Sequence, residues 1–123
     1  MTKKILVIED ETPIRDNLRR FLGLEGYAVA AEANGALGLQ RALAEPPDLI
    51  LCDVMMPEMN GFEVLAQLRR APHLAQVPFV FLTASADKDS IARGIALGAA
   101  DYVTKPFDLP QLAALIRKRL AAG

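Results

Sequence analysis

The sequence predicts an α/β domain in which one parallel β-sheet is covered by helices on both faces. Two observations carry this prediction. Short apolar runs of strand length alternate with segments of helical periodicity five times along 123 residues, with brief connections. The run Leu49-Ile50-Leu51-Cys52 is apolar without a break and stops on Asp53, as expected of a strand buried on both faces in the middle of a parallel sheet. Strict βα alternation then implies right-handed crossovers.

Each element can be justified in order. Lys4-Ile5-Leu6-Val7-Ile8 is the first strand, and it stops at Glu9-Asp10-Glu11. Thr12 is expected to cap the helix that follows, with Pro13 at its first position and Ile14, Leu18, Phe21 and Leu22 turned inward. Gly26 ends that helix. Residues 27–33 alternate loosely as a second strand, closed by Asn34-Gly35. Residues 36–44 form a helix with Leu37, Leu39 and Leu43, stopped by Pro46-Pro47. The Asp53 strand comes third. Beyond Pro57 and Gly61, Phe62, Val64, Leu65 and Leu68 mark a third helix that ends before Pro72.

The fourth strand, Phe79-Val80-Phe81-Leu82, ends on Thr83, with Ala84-Ser85-Ala86 after it. Asp87 or Asp89 caps a fourth helix through Ile91, Ile95 and Leu97 to Gly98. Gly94 inside it costs about 1 kcal/mol relative to Ala, so this helix is expected to be the least rigid. Asp101-Tyr102-Val103 is the short fifth strand, leading into Thr104-Lys105-Pro106-Phe107. Asp108 caps a last helix with Leu112, Leu115, Ile116 and Leu120 inward and Arg117-Lys118-Arg119 at its end, where cations complement the dipole.

Composition excludes several function classes. Hydrophobic residues at 52% and charged residues at 24% describe an ordinary globular chain rather than a disordered one. A net charge of −1 draws it neither to nucleic acid nor to an anionic membrane. Cys52 cannot form an internal disulfide and reads as core; His73 reads as a surface loop residue. With no signal peptide and no apolar run of membrane-spanning length, the expected compartment is the cytoplasm. Met55, Met56 and Met59 read as gap fillers whose sulfurs bind nothing.

In a parallel sheet all the carboxyl ends of the strands share one edge, where ligand sites form. That edge collects Glu9 and Asp10, Asp53, Thr83 and, from the loop after the fifth strand, Lys105. Clustered carboxylates repel one another unless a cation neutralises them, and hard oxygen ligands suit Mg²⁺. A lysine and a hydroxyl nearby would hold the remaining oxygens of a phosphoryl group. Asp53 then reads as a carboxylate nucleophile forming an acyl phosphate.

Glu9-Asp10, Asp53 followed by Val54-Met55-Met56-Pro57 and Gly61, Thr83-Ala84, and Tyr102 ahead of Lys105-Pro106-Phe107 together resemble the receiver domain of bacterial two-component response regulators. The resemblance runs from Lys3 to about Leu120, and residues 1–123 are expected to form a single receiver domain. It implies a flavodoxin-like doubly wound five-stranded sheet of order 2-1-3-4-5. It also implies that Asp53 accepts a phosphoryl group from the phosphohistidine of a sensor histidine kinase or a histidine phosphotransfer protein. Asp10, Asp53 and the backbone carbonyl of Met55 would bind Mg²⁺ or Mn²⁺, with Glu9 reaching the metal through water. Thr83 would donate its hydroxyl to the phosphoryl group and Lys105 would pair with it, while Ala84 leaves the acyl phosphate room. Tyr102 would turn inward as Thr83 moves. The surface of the fourth helix, fifth strand and fifth helix would address an output partner or domain and form a weak homodimer. The Lys105-Pro106 bond is expected to be cis, so that the loop aims the lysine into the site.

Three rivals fit less well. A flavin mononucleotide carrier needs a phosphate-binding loop where Glu9-Asp10-Glu11 stands, and the glycine fingerprint of a dinucleotide site is absent there. Phosphatases that form an aspartyl phosphate resemble this pattern too, but they carry a second aspartate where Met55 stands. The expected role is therefore a regulatory switch and not an enzyme that turns over outside substrates. No segment of the chain reads as a basic recognition helix, so it is not expected to bind DNA itself.

Overall fold

The computed structural model describes residues 2–84 and 87–122, so Ser85 and Ala86 of the expected fourth loop lie outside the described residues. Its elements are β1 (Lys4–Ile8), α1 (Thr12–Leu24), β2 (Ala28–Glu32), α2 (Gly35–Ala44), β3 (Leu49–Asp53), α3 (Gly61–Arg69), a 3-10 turn (Pro72–Leu74), β4 (Phe79–Thr83), α4 (Lys88–Ala96), β5 (Asp101–Thr104) and α5 (Leu109–Ala122). All strands are parallel, in the order β2-β1-β3-β4-β5. The flavodoxin-like fold expected from the sequence is the fold observed.

The strand period of two divides the core. Leu6, Ile8, Ile50, Cys52, Phe79 and Phe81 face the side covered by α2 and α3. Ile5, Val7, Leu49, Leu51, Val80 and Leu82 face the opposite side, against Leu18 and Leu22 of α1 and Leu112 and Ile116 of α5. Because both faces are covered, β3 and β4 are buried along their whole length. Cys52 is a buried free thiol within this core, and His73 is exposed in the 3-10 turn, as expected. Arg69 ties the turn after α3 to the end of α4: its guanidinium donates to the carbonyls of Leu74 (3.1 Å), Val77 (3.0 Å) and Gly98 (3.0 Å). Among the described residues no helix is long and apolar enough to cross a membrane.

Three helix details differ from expectation. Glu11, not Thr12, is the N-cap of α1. Pro13 lacks only an N–H that the first turn leaves unused, so the helix can begin one residue earlier. In α2 the inward face is Gly38 and Ala42, while Leu37 and Leu43 are exposed. The helix lies so close to β1 that a Cβ on Gly38 would sit 2.4 Å from Ile8 Cδ1, which leaves no room for a leucine there. In α4 Ile95 points to solvent and Gly94 is the buried residue.

Gly94 therefore does more than loosen its helix. A Cβ there would lie 2.8 Å from Cε2 of Phe81 and 3.4 Å from Cε2 of Tyr102. Phe81 cannot yield easily, because Phe62, Phe79 and Tyr102 pack their rings around it at centroid distances of 5.1, 5.0 and 5.6 Å. Helix propensity alone would make Gly94→Ala stabilising by about 1 kcal/mol. The clash reverses the sign: overpacking of this kind costs about 1–3 kcal/mol, so urea unfolding should show Gly94→Ala to be less stable than the parent chain.

Candidate functional site

The site is built where β1, β3 and β4 end. Ile8 pairs with Cys52 across β1 and β3, so the next residue on each strand, Glu9 and Asp53, emerges beside the other. Asp53 in turn pairs with Leu82, which places Thr83 one position further along the same edge. Glu9, Asp53 and Thr83 are the buried polar residues of the described chain, at 0%, 5% and 1% exposure. Lys105 follows β5, and its backbone N–H donates to the Thr83 carbonyl at 2.6 Å. The Lys105-Pro106 peptide is cis, as expected.

Lys105 Nζ lies 2.7 Å from Glu9 Oε1, 3.3 Å from Asp53 Oδ2 and 3.6 Å from Glu11 Oε2. Glu9 Oε2 accepts from the Glu11 backbone N–H at 3.2 Å. Burial raises the Glu9 carboxyl from 4.5 to about 7 against the pull of Lys105, with the Asp53 charge adding to the rise. Burial likewise outweighs Lys105 at Asp53 and leaves that carboxyl raised. Burial works against the Lys105 ammonium, yet Glu9 and Asp53 together hold its pKa above the usual lysine value.

Glu9, Asp10 and Asp53 each offer a carboxylate oxygen, and these oxygens all lie within 4.8 Å of one another. Asp10 Oδ1 is buried without a hydrogen-bond partner among the described residues. An orphaned buried carboxylate oxygen beside two raised carboxyls leaves a position that a divalent cation could fill. The oxygen-only donor set suits Mg²⁺ better than a soft metal.

The loop after β3 closes beneath Asp53. Gly61 N–H donates to the Val54 carbonyl at 2.9 Å, and a Cβ on Gly61 would stand 2.4 Å from the Asp53 carbonyl oxygen, so only glycine fits there. Glu58 holds a left-handed φ of 69°, turning the chain so that Met59 N–H reaches the Pro57 carbonyl at 2.8 Å. Asn60 and Glu63 form a reciprocal capping box on α3. The N-x-x-E spacing before an apolar run signals such a box in the sequence itself.

The other expected residues lie around this centre. Met55, two positions after Asp53, and Ala84, directly after Thr83, are exposed, and Pro106 is exposed beyond Lys105. Tyr102 packs its ring on Phe81 and buries its hydroxyl on the Thr83 side, where burial raises its pKa despite the Thr83 hydroxyl. Arg15 was not singled out by the sequence, yet its Nη1 donates to the Glu9 carbonyl at 2.8 Å.

Fold and site define a doubly wound α/β protein with an acidic, lysine-bridged pocket at the carboxyl edge of its sheet. The comparisons with known proteins agree. A family model described as "Response regulator receiver domain" matches residues 5–117. "Response regulator ArlR" of Staphylococcus saprophyticus is 41% identical over 121 residues, covering 95% of this chain and 52% of that protein. "Uncharacterized transcriptional regulatory protein YkoG" of Bacillus subtilis is 42% identical over 116 residues, covering 94% of this chain and 50% of that one. The chain thus spans about half the length of these curated relatives. The crystallised chemotaxis protein CheY4 of Vibrio cholerae matches with a TM-score of 0.92 at 30% identity, over 96% of this chain and 98% of that one. The chain belongs to the response regulator receiver domain family, the regulatory receivers of two-component systems.

The raised Glu9 carboxyl has a testable consequence. A folded-state value near 7 against 4.5 unfolded means the folded chain holds more protons between those values, so stability falls as pH rises through that window. The displacement corresponds to at most about 3 kcal/mol. Metal-free protein should therefore melt at a higher temperature at pH 5 than at pH 8, and Glu9→Gln should flatten most of that slope.

Proposed function

We propose that this chain is the phosphoacceptor switch of a two-component phosphorelay, with Asp53 as the residue modified. The observation that supports it most is the convergence of buried Asp53 and Thr83 with Lys105 Nζ at 3.3 Å from Asp53 Oδ2. In this reading an Asp53 carboxylate oxygen attacks the phosphorus of a phosphohistidine on a sensor kinase or histidine phosphotransfer protein. The new O–P bond forms as the P–N bond breaks, and the electron pair returns to the imidazole of the donor.

Asp10, Asp53 and the Met55 carbonyl would hold Mg²⁺ or Mn²⁺, with Glu9 joining through water, and Lys105 and the Thr83 hydroxyl would hold phosphoryl oxygens. Bound metal would supply neutralising charge at the phosphoryl oxygens. Lys105, now shared by the Glu9, Asp53 and Glu11 carboxylates, would gain a new partner when Asp53 becomes an acyl phosphate, a mixed anhydride whose charge lies on the phosphoryl oxygens. Ala84, small and exposed, would leave the acyl phosphate room. With Met55 in place of a second aspartate, the chain lacks a general acid there for turnover of outside substrates, so it acts as a regulatory domain. Residues 1–123 would work as one receiver in the cytoplasm, without binding nucleic acid or membrane. The test is direct: a small phosphodonor such as phosphoramidate with Mg²⁺ should add one phosphoryl mass to the intact protein, and Asp53→Asn should stay unmodified while remaining folded. A mutant that gains the mass at the parent rate places the acceptor elsewhere.

The switch would work through α4, β5 and α5, the surface proposed to meet an output partner or domain and to form a weak homodimer. Phosphorylation adds roughly −1.5 to −2 charge at the sheet edge. Hydrogen bonds to charged groups contribute about 1.5–3 kcal/mol each, so Thr83 and Lys105 together could bias one state by roughly 3–6 kcal/mol. A shift from 1:99 to 99:1 needs about 5.5 kcal/mol, which two such contacts nearly supply. Tyr102 would fill the space that Thr83 vacates, and α4, seated on Phe81 through Gly94, would follow. Beryllofluoride with Mg²⁺ should accordingly shift amide resonances of α4 and the surroundings of Tyr102, and Thr83→Ala should suppress that remote response while Asp53 is still occupied. Changes confined to the neighbours of Asp53 would leave an acceptor without this switch.

A further inference from the structure

We infer that Arg15 is a positioning residue for the acidic pocket: by binding the main-chain carbonyl of Glu9, it fixes the peptide that aims Asp10 at a divalent cation. The inference rests on the phosphoacceptor reading and adds to it a residue outside the pocket. Arg15 is the fourth residue of α1, and its Nη1 donates to the Glu9 carbonyl at 2.8 Å while Nη2 reaches Thr12 Oγ1 at 3.3 Å. The Glu9 carbonyl belongs to the peptide unit that ends at the Asp10 nitrogen. β1 has already ended at Ile8, and the last backbone bond on this side is Glu9 N–H to the Glu32 carbonyl at 3.1 Å. Past that point no strand ladder sets the direction of the chain.

Glu9 itself is held from two sides, by Lys105 at Oε1 and by the Glu11 N–H at Oε2. At Asp10 the buried Oδ1 has no hydrogen-bond partner among the described residues. The bond from Arg15 to the peptide just before it therefore sets where the Asp10 carboxylate points. Placing a cation near the start of a helix opposes the helix dipole. Here the forked guanidinium is compensated by a carbonyl and a hydroxyl acceptor, an arrangement a single-headed ammonium cannot reproduce.

Charge and position predict opposite results, which makes the inference testable. Removing a cation near three carboxylates should, by Coulomb's law alone, tighten the binding of another cation. Removing a residue that orients a metal ligand typically weakens binding 10–100-fold. Titration calorimetry with magnesium chloride alone, on the whole chain, should show Arg15→Met binding Mg²⁺ about tenfold more weakly than the parent. Arg20→Met, which deletes the same charge from an exposed position of α1, should not weaken it. Arg15→Lys should fall between, because it keeps the charge and loses the fork. Metal-free melting checks that the variants are folded, and if Arg15→Met is not, the lysine variant decides. Binding by the Arg15 variants as tight as the parent, or tighter, overturns the inference. A parent chain that binds no Mg²⁺ defeats the phosphoacceptor reading as well, so the two failures are distinguishable.

Discussion

Glu9 and Asp53 are withdrawn from solvent at the ends of adjacent strands, and Lys105 reaches between their carboxylates. Two like charges that close in a low-dielectric setting repel strongly, and one ammonium compensates them only in part. Burial is the main cause that raises the Glu9 and Asp53 carboxyls, and the pull of Lys105 offsets it only in part. Much of the surrounding architecture can be understood as holding the acids together in spite of their repulsion. The parallel register brings β1 and β3 out side by side, the β5 loop swings Lys105 over them, and the Glu11 N–H supplies a further donor. Asp10 adds a third carboxylate with an oxygen that is unpartnered among the described residues, which leaves the pocket short of positive charge.

Close approach is the second requirement, and glycine provides it on both flanks of the sheet edge. At Gly61 the returning loop passes so near the Asp53 carbonyl that any side chain would collide with backbone. At Gly94 the same device brings α4 down onto Phe81, the ring that Phe62, Phe79 and Tyr102 also touch. Arg93 adds its guanidinium above the Phe62 ring at 4.5 Å, linking α4 to the start of α3. An aromatic group thus stands between the loop after β3 and α4. Displacement at Thr83 would be felt there, because a close-packed interior transmits strain rather than absorbing it.

The strands and the acids at their ends were legible in the sequence for a simple reason. A strand buried on both faces must be apolar throughout, so the first polar residue after such a run marks its end. Glu9, Asp53 and Thr83 announced themselves in that way, and topology then placed them on one edge. The helices were less legible where the packing is tightest. Leu37, Leu43 and Ile95 suggested inward stripes, yet the buried faces of α2 and α4 are made by Gly38, Ala42 and Gly94. A hydrophobicity pattern rewards large residues and cannot register that two backbones approach too closely to admit them.

By itself the sequence determined the class of fold, the edge that carries the candidate site and the identity of the residues converging there. Periodicity and strand termination are properties of neighbours along the chain, and they survive without coordinates. Only the tertiary structure decided how those residues share charge. Lys105 bridges Glu9 and Asp53, and Glu9 is pushed up to about 7. Asp10 keeps an oxygen that is orphaned among the described residues, and Arg15 reaches back to the Glu9 carbonyl. These outcomes depend on distances of a few ångströms between residues up to about a hundred positions apart, and on how completely water is excluded between them. Neither quantity is carried by any local stretch of sequence.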